Sequence, residues 1–349
     1  MSIVPTNQKY YYSLMMKNIQ ELKNKYRFLE VGSIGFSTLG KQLPYIKIGK
    51  GRRKIMYNAG MHANEYICCI MLMKFVENFC KSYVSNSRIF GQNARELFNN
   101  VSLYILPMMN PDGIDIVTGQ VEKNSDIYKE YLKISGEFPS IPFPNGWKAN
   151  ANGVDLNLQF PASWQEARRI KFEQGYIRPA PQNFVGEGPL TQSEALAIYK
   201  FTLENNFELT ISYHTQGKEI YWNYQNINPQ NGYEIGKIYE KVSGYNLTDV
   251  PYNSSFAGYK DWFIQNYKRL GYTIEAGIGE NPLPISQFDE IYNDNIGILI
   301  LGMIVSWFKL FFLAKLVAKF VAEHSVLHKQ ASQQKHKAKL VAEHSILHK

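Results

Sequence analysis

The stretch NAGMHANEY, Asn58 to Tyr66, decides how the rest of the chain is read. It sets His62 and Glu65 at i and i+3, after the strand-like run KIMYNAG and before an apolar helical run from Asn64 to about Tyr83. Two readings compete. The pair could hold a metal ion, or it could mark a helix start, where Glu65 favours the positive end of the dipole and His62 occupies a turn. The pair alone does not choose between them.

Working outward, other apolar runs repeat the same arrangement. VSLYILPMM (101–109) is continuous and of strand length, and it stops at the turn signal Asn110-Pro-Asp-Gly113. FELTISYHTQG ends as a strand that delivers His214, and GYTIEAG ends as one that delivers Glu275. Continuous apolar strands imply burial on both faces. Between them lie helical patterns: residues 9–26, with Tyr12, Met15, Ile19 and Leu22 on one stripe; a helix opened by the capping box Thr191-x-x-Glu194; 229–244; and YKDWFIQNY. RFLEVGSIGFSTLGKQLPYIKIG alternates and breaks at glycines as a β-hairpin does, and KEIYWNY reads as a further strand. Residues 117–150 read as a long polar loop. The expected fold is α/β, with a mixed, mostly parallel central sheet flanked by helices on both faces. In such sheets the ligand sits beyond the C-terminal strand ends. His62, Asn110, His214 and Glu275 all fall there.

Composition narrows the class. The chain has 349 residues, 45% hydrophobic and 19% charged, which is globular. Its three cysteines are an odd count with two adjacent, against a disulfide framework and in favour of a reducing compartment. The N-terminus carries no secretory pattern, so a cytoplasmic location is expected. The net charge of +8 is not a nucleic-acid signature, because +6 of it lies in residues 309–349 and only +2 in the preceding 308.

Two imidazoles and a carboxylate, His62, Glu65 and His214, make a ligand set that leaves a zinc ion open to water. Glu275 would then be the general base. Of the seven histidines only His62 and His214 lie in the body, so no other pair competes.

MHANEY, MMNPDG, GVDLNLQFP, SYHTQG, AGYKDW and TIEAG occur in this order, and together they resemble the zinc carboxypeptidase family over about residues 9–308. WKAN, HTQGKEIYW, AGYKDWF and GENPLP look most like its branch of γ-D-glutamyl-diamino-acid peptidases, which cut bacterial cell-wall stem peptides. The resemblance implies that His62, Glu65 and His214 are the Zn2+ ligands and Glu275 the base. It implies that Asp155 orients the first ligand histidine and that Asn157 helps to orient the substrate carboxylate. Lys148 falls where the family has an arginine that polarises the scissile carbonyl. Leu158 stands where ordinary carboxypeptidases have an arginine that clamps the C-terminal carboxylate. Lys260 falls at the position that sets side-chain preference, suited to the extra carboxylate of diaminopimelate. Tyr252 lies one residue from the family's mobile tyrosine, with Asn253 at that position itself. Asn110 to Gly113 read as a plain turn.

The expected partners are therefore peptidoglycan stem peptides or muropeptides, and no nucleic acid. Two rival readings are a carboxypeptidase of ordinary peptides, which Leu158 opposes, and a non-catalytic muropeptide-binding module, which Glu275 opposes. Residues 1–308 form the expected catalytic domain. Residues 309–349 form a basic helical extension with the near-copies KFVAEHSVLHK and KLVAEHSILHK. The apolar run from Ile296 to Leu313 is interrupted by Lys309, so a core helix is favoured over membrane contact.

Overall fold

A computed structural model describes residues 2–305; the 309–349 extension and the end of the 296–313 run lie outside the described residues. The first helix is α1 (Tyr12–Lys25), with Met15, Ile19 and Leu22 buried on one stripe as their spacing requires. Strands β1 (Glu30–Phe36) and β2 (Gln42–Ile48) form the expected antiparallel hairpin. Next come β3 (Arg53–Ala59) and α2 (Tyr66–Val84), then a small hairpin, β4 (Arg88–Ile89) with β5 (Gln92–Asn93), and α3 (Ala94–Asn100). β6 (Val101–Leu106), α4 (Pro111–Thr118), α5 (Asp126–Gly136), α6 (Trp164–Glu173) and α7 (Ser193–Asn205) lead to β7 (Leu209–His214) and β8 (Glu219–Tyr221). The described part closes with α8 (Gly232–Ser243), β9 (Asn246–Thr248), α9 (Tyr259–Tyr267), β10 (Leu270–Glu275) and α10 (Phe288–Val305).

Eight strands form one sheet in the order β1-β2-β6-β3-β7-β10-β8-β9. The central four, β6, β3, β7 and β10, are parallel, and β2 and β8 flank them antiparallel. Every residue of β6 and β7 is buried, which explains why neither strand carries an Asp, Glu, Lys or Arg. Alternation along β3 sends its side chains to opposite layers. Met56 joins a cluster with Ile198 and Phe201 of α7 and Trp262 and Phe263 of α9. Tyr57, one residue on, faces the other way and donates its hydroxyl to the Leu299 carbonyl of α10, 2.8 Å away. Helices therefore cover both faces. Among the described residues no helix is long and apolar enough to cross a membrane. All three cysteines are buried and free.

Three local expectations are corrected. Asn110 to Gly113 do not form an isolated turn. They open α4, with Asn110 as N-cap accepting from the Gly113 amide at 3.0 Å and Pro111 in the first turn. The 117–150 segment is not a continuous loop, because Ser125 caps α5 within it. The Thr191–Glu194 capping box does not form. Thr191 donates to Gln159 instead, and the buried Glu194 accepts from the amide and hydroxyl of Thr38. Distant partners satisfy both side chains and so outcompete the local motif.

Candidate active site

The four parallel strands end on one edge of the sheet, and the site is built there. β3 runs into Gly60, which turns with φ +69°; a side chain there would meet Cys69 Sγ at 2.7 Å. The chain then reaches His62, and Ala63–Glu65 form a single 3₁₀ turn that leads into α2. His214 is the last residue of β7 and Glu275 the last of β10, and the two are register partners across the parallel pair.

His62, Glu65 and His214 each offer one ligand atom, and these atoms lie within 4.8 Å of one another. His62 Nδ1 is 2.9 Å from Glu65 Oε1, His214 Nδ1 is 2.9 Å from Glu65 Oε2, and the two Nδ1 atoms are 3.2 Å apart. His62 donates from Nε2 to Asp155 Oδ1 at 3.1 Å. This fixes the tautomer whose Nδ1 lone pair points inward. Two imidazole nitrogens and a carboxylate converge there, a cluster of donors that a cation, proton or metal ion, holds together. The donor set fits Zn2+, with three ligands of N and O type.

The electrostatics agree. Burial opposes a charged His62, but the Glu65 and Asp155 carboxylates outweigh it and raise its pKa to about 10. Burial likewise opposes a charged Glu65, yet His62, Lys148 and His214 hold it well below the usual carboxylate range. Asp155, despite burial, is lowered to about 2, chiefly by His62. Glu275 behaves oppositely: burial raises it to about 7 against the pull of His214. One carboxylate is thus fixed as an anion and another is poised near neutrality, the division expected of ligand and base.

A cleft of about 430 Å3 opens over this centre, lined by His62, Lys148, Asp155, Asn157, Lys260 and Glu275 among others. Glu65 and His214 lie beneath it, 1% and 2% exposed. Lys148 Nζ sits 3.3 Å from Glu65 Oε1. Asn157 Oδ1 accepts from the Tyr259 amide at the start of α9. Lys260 is held in the cleft wall. It is 5% exposed, paired with Asp261 at 2.7 Å and bonded to the Asn223 carbonyl. Leu158 lines the cleft and packs on α6. Tyr252 is 59% exposed and donates to Glu166 Oε1 at 2.8 Å; its neighbours Val250, Pro251 and Ser254 line the cleft.

Sequence reading missed two contributors. Asn110 is fully buried, and its Nδ2 donates to the carbonyls of Met61, Lys148 and Ala149. It therefore ties the loop carrying His62 to the loop carrying Lys148. Its place after an apolar strand was visible, but its partners were not. Lys171 of α6 also lines the cleft while 7% exposed, and nothing local marks it.

A family model described as zinc carboxypeptidase matches residues 15–297. The chain belongs to the zinc carboxypeptidase family. It is a zinc metallopeptidase of that family. It is 38% identical over 301 residues to gamma-D-glutamyl-L-diamino acid endopeptidase 1 of Lysinibacillus sphaericus, covering 86% of this chain and 74% of that protein. It is also 38% identical over 302 residues to an uncharacterized protein, YqgT, of Bacillus subtilis, covering 86% and 77%. Among solved structures, thrombin-activatable fibrinolysis inhibitor shares the zinc carboxypeptidase-like fold with TM-score 0.66 at 17% identity, over 87% of this chain and 76% of that one. Murein-tripeptide amidase MpaA from Escherichia coli O157 matches with TM-score 0.51 at 18% identity, over 80% and 92%.

Proposed function

We propose that this metallopeptidase hydrolyses the γ-D-glutamyl–diamino acid bond of peptidoglycan stem peptides or muropeptides. The observation that carries the reading is the convergence of His62, Glu65 and His214 below a cleft shared by Glu275 and Lys148. The substrate class is supported by the likeness to a protein named a gamma-D-glutamyl-L-diamino acid endopeptidase. Leu158, in place of a carboxylate-clamping arginine, supports it against ordinary C-terminal trimming. The activity is assigned to residues 1–308, with 309–349 as a separate extension.

The three ligands would hold Zn2+, which when bound lowers the pKa of water and polarises a carbonyl. Glu275, on the cleft wall, takes the proton of the attacking water and passes it to the leaving amine. Asp155 holds the His62 ring by its Nε2 proton, and Asn110 holds the Met61 carbonyl beside it and ties it to the loop of Lys148. Lys148 stabilises the oxyanion. Its ammonium leans on Glu65, and once the charge of that carboxylate is shared with a cation it is freer to turn toward the carbonyl. Asn157 and Lys260 orient the substrate, and the loop carrying Tyr252 borders it.

The test is mass spectrometry of products from defined muropeptides, with and without a chelator. Release of the diamino-acid fragment, abolished by chelation, is the expected result. Cleavage of plain dipeptides at an equal rate would refute the substrate assignment.

A further inference from the structure

Three lysines line the cleft, and their surroundings differ. Lys148 leans on Glu65 and Lys260 on Asp261. Lys171 is as buried as Lys260 but has no carboxylate within ion-pair range among the described residues. Its Nζ reaches the Asn253 carbonyl at 3.2 Å and Gln174 Oε1 at 3.4 Å, both neutral and both long for an ammonium. Burial pushes its pKa down, with Asp155 opposing only through space. A buried cation without a counter-charge is costly, and it persists where an anion arrives to pair it.

Its position says which anion. Leu158 packs with Trp164, Ala167 and Ile170, the α6 residues leading up to Lys171. The wall that offers a leucine at 158 is therefore backed by the helix that offers a lysine at 171, and both face the same cleft.

We infer that Lys171 is a specificity-determining residue that binds a carboxylate of the fragment released from the substrate, supplying from α6 the positive charge absent at Leu158. This rests on the stem-peptide reading above for the identity of the fragment, and on the cleft alone for the anion. The bond to Asn253 links the same ammonium to the 250–255 loop, so an arriving carboxylate takes over a contact that now holds that loop.

The test is calorimetry on the full zinc-loaded chain, comparing meso-diaminopimelate with its diamide. The parent is expected to prefer the acid. Lys171→Met is expected to lose about 10- to 100-fold of that preference, the range for a hydrogen bond to a charged group. Zinc content should be unchanged and the melting temperature equal or higher, since an uncompensated buried charge is removed. Lys171→Gln provides a second neutral replacement, and Lys171→Arg should keep the preference. A Lys171→Met or Lys171→Gln protein that discriminates acid from amide as the parent does overturns the inference, as does a parent with no preference. A parent that shows the Lys171-dependent preference but leaves γ-D-glutamyl bonds intact overturns the proposed substrate and not this inference.

Discussion

Lys148 Nζ stands 3.3 Å from Glu65 Oε1, so the cation assigned to the oxyanion rests against a carboxylate assigned to the metal. The two roles pull in opposite directions. A positive charge at that distance competes with zinc for Glu65, yet it is needed at the carbonyl oxygen. Lys148→Met is therefore expected to bind zinc at least as tightly as the parent while kcat falls about 100-fold, the loss typical of one oxyanion donor. Zinc titration with a competing chelator, alongside steady-state kinetics, separates the two effects. Weaker zinc binding would show that Lys148 supports the ligand set instead.

Glu275→Gln should retain stoichiometric zinc and the parent melting temperature while kcat drops by roughly 100- to 10,000-fold. Metal analysis and turnover on one preparation decide it. Cleavage at the parent rate would remove Glu275 from the mechanism.

Asp155→Asn should weaken zinc binding about 10- to 100-fold, because the His62 ring loses the carboxylate charge, and an amide, which can also donate, no longer fixes its tautomer. Asn110→Ala should reach the same centre by another route. It leaves the Met61, Lys148 and Ala149 carbonyls short of a donor and the α4 amide uncapped, at about 3 kcal/mol of stability. Chemical denaturation and zinc titration together distinguish the two, since Asp155→Asn should move affinity more than stability.

Glu77 gives a pH prediction away from the site. Fully buried on α2, it accepts from the Ile3 and Val4 amides and the Ser2 hydroxyl and pairs with Lys74 and Lys81. Burial alone would raise its pKa, but these partners, Lys81 foremost, lower it from 4.5 to about 2. Its stabilising contribution is then complete above about pH 4.5 and is lost as pH falls toward 2. Glu77→Gln should cost roughly 3 kcal/mol at pH 7. The gap to the parent should narrow as pH drops from about 5 toward 2, measured by urea midpoints. A gap independent of pH would mean that packing, not charge, holds the N-terminal segment.

Much of this was legible in the sequence because period and punctuation are local. KIMYNAG, VSLYILPMM, FELTISYHTQG and GYTIEAG are apolar runs ending at turn residues, and each became a central strand. His62, His214 and Glu275 follow directly from where those runs stop. What the chain hides is who satisfies whom at long range. Thr191 and Glu194 carry the letters of a capping box, but Gln159 and Thr38, far away in sequence, take their hydrogen bonds. Asn110 looks like an ordinary turn residue until three carbonyls from two other loops arrive at its amide. Lys171 sits in the charged stretch EARRIKFE, where its own type and the two preceding arginines suggest solvent, and only tertiary packing buries it.

The register of β7 against β10 makes the separation of His214 from Glu275 a discrete quantity. A slip of one residue would set Ile274 beside His214 and turn the carboxylate to the opposite layer. Mutational drift cannot adjust that separation by small steps; it can only keep it or destroy it. The walls over the pair, by contrast, come from loops and from α6, whose residues can be exchanged one at a time. A lineage built on this scaffold is free to wander among substrates while its reacting pair stays in place.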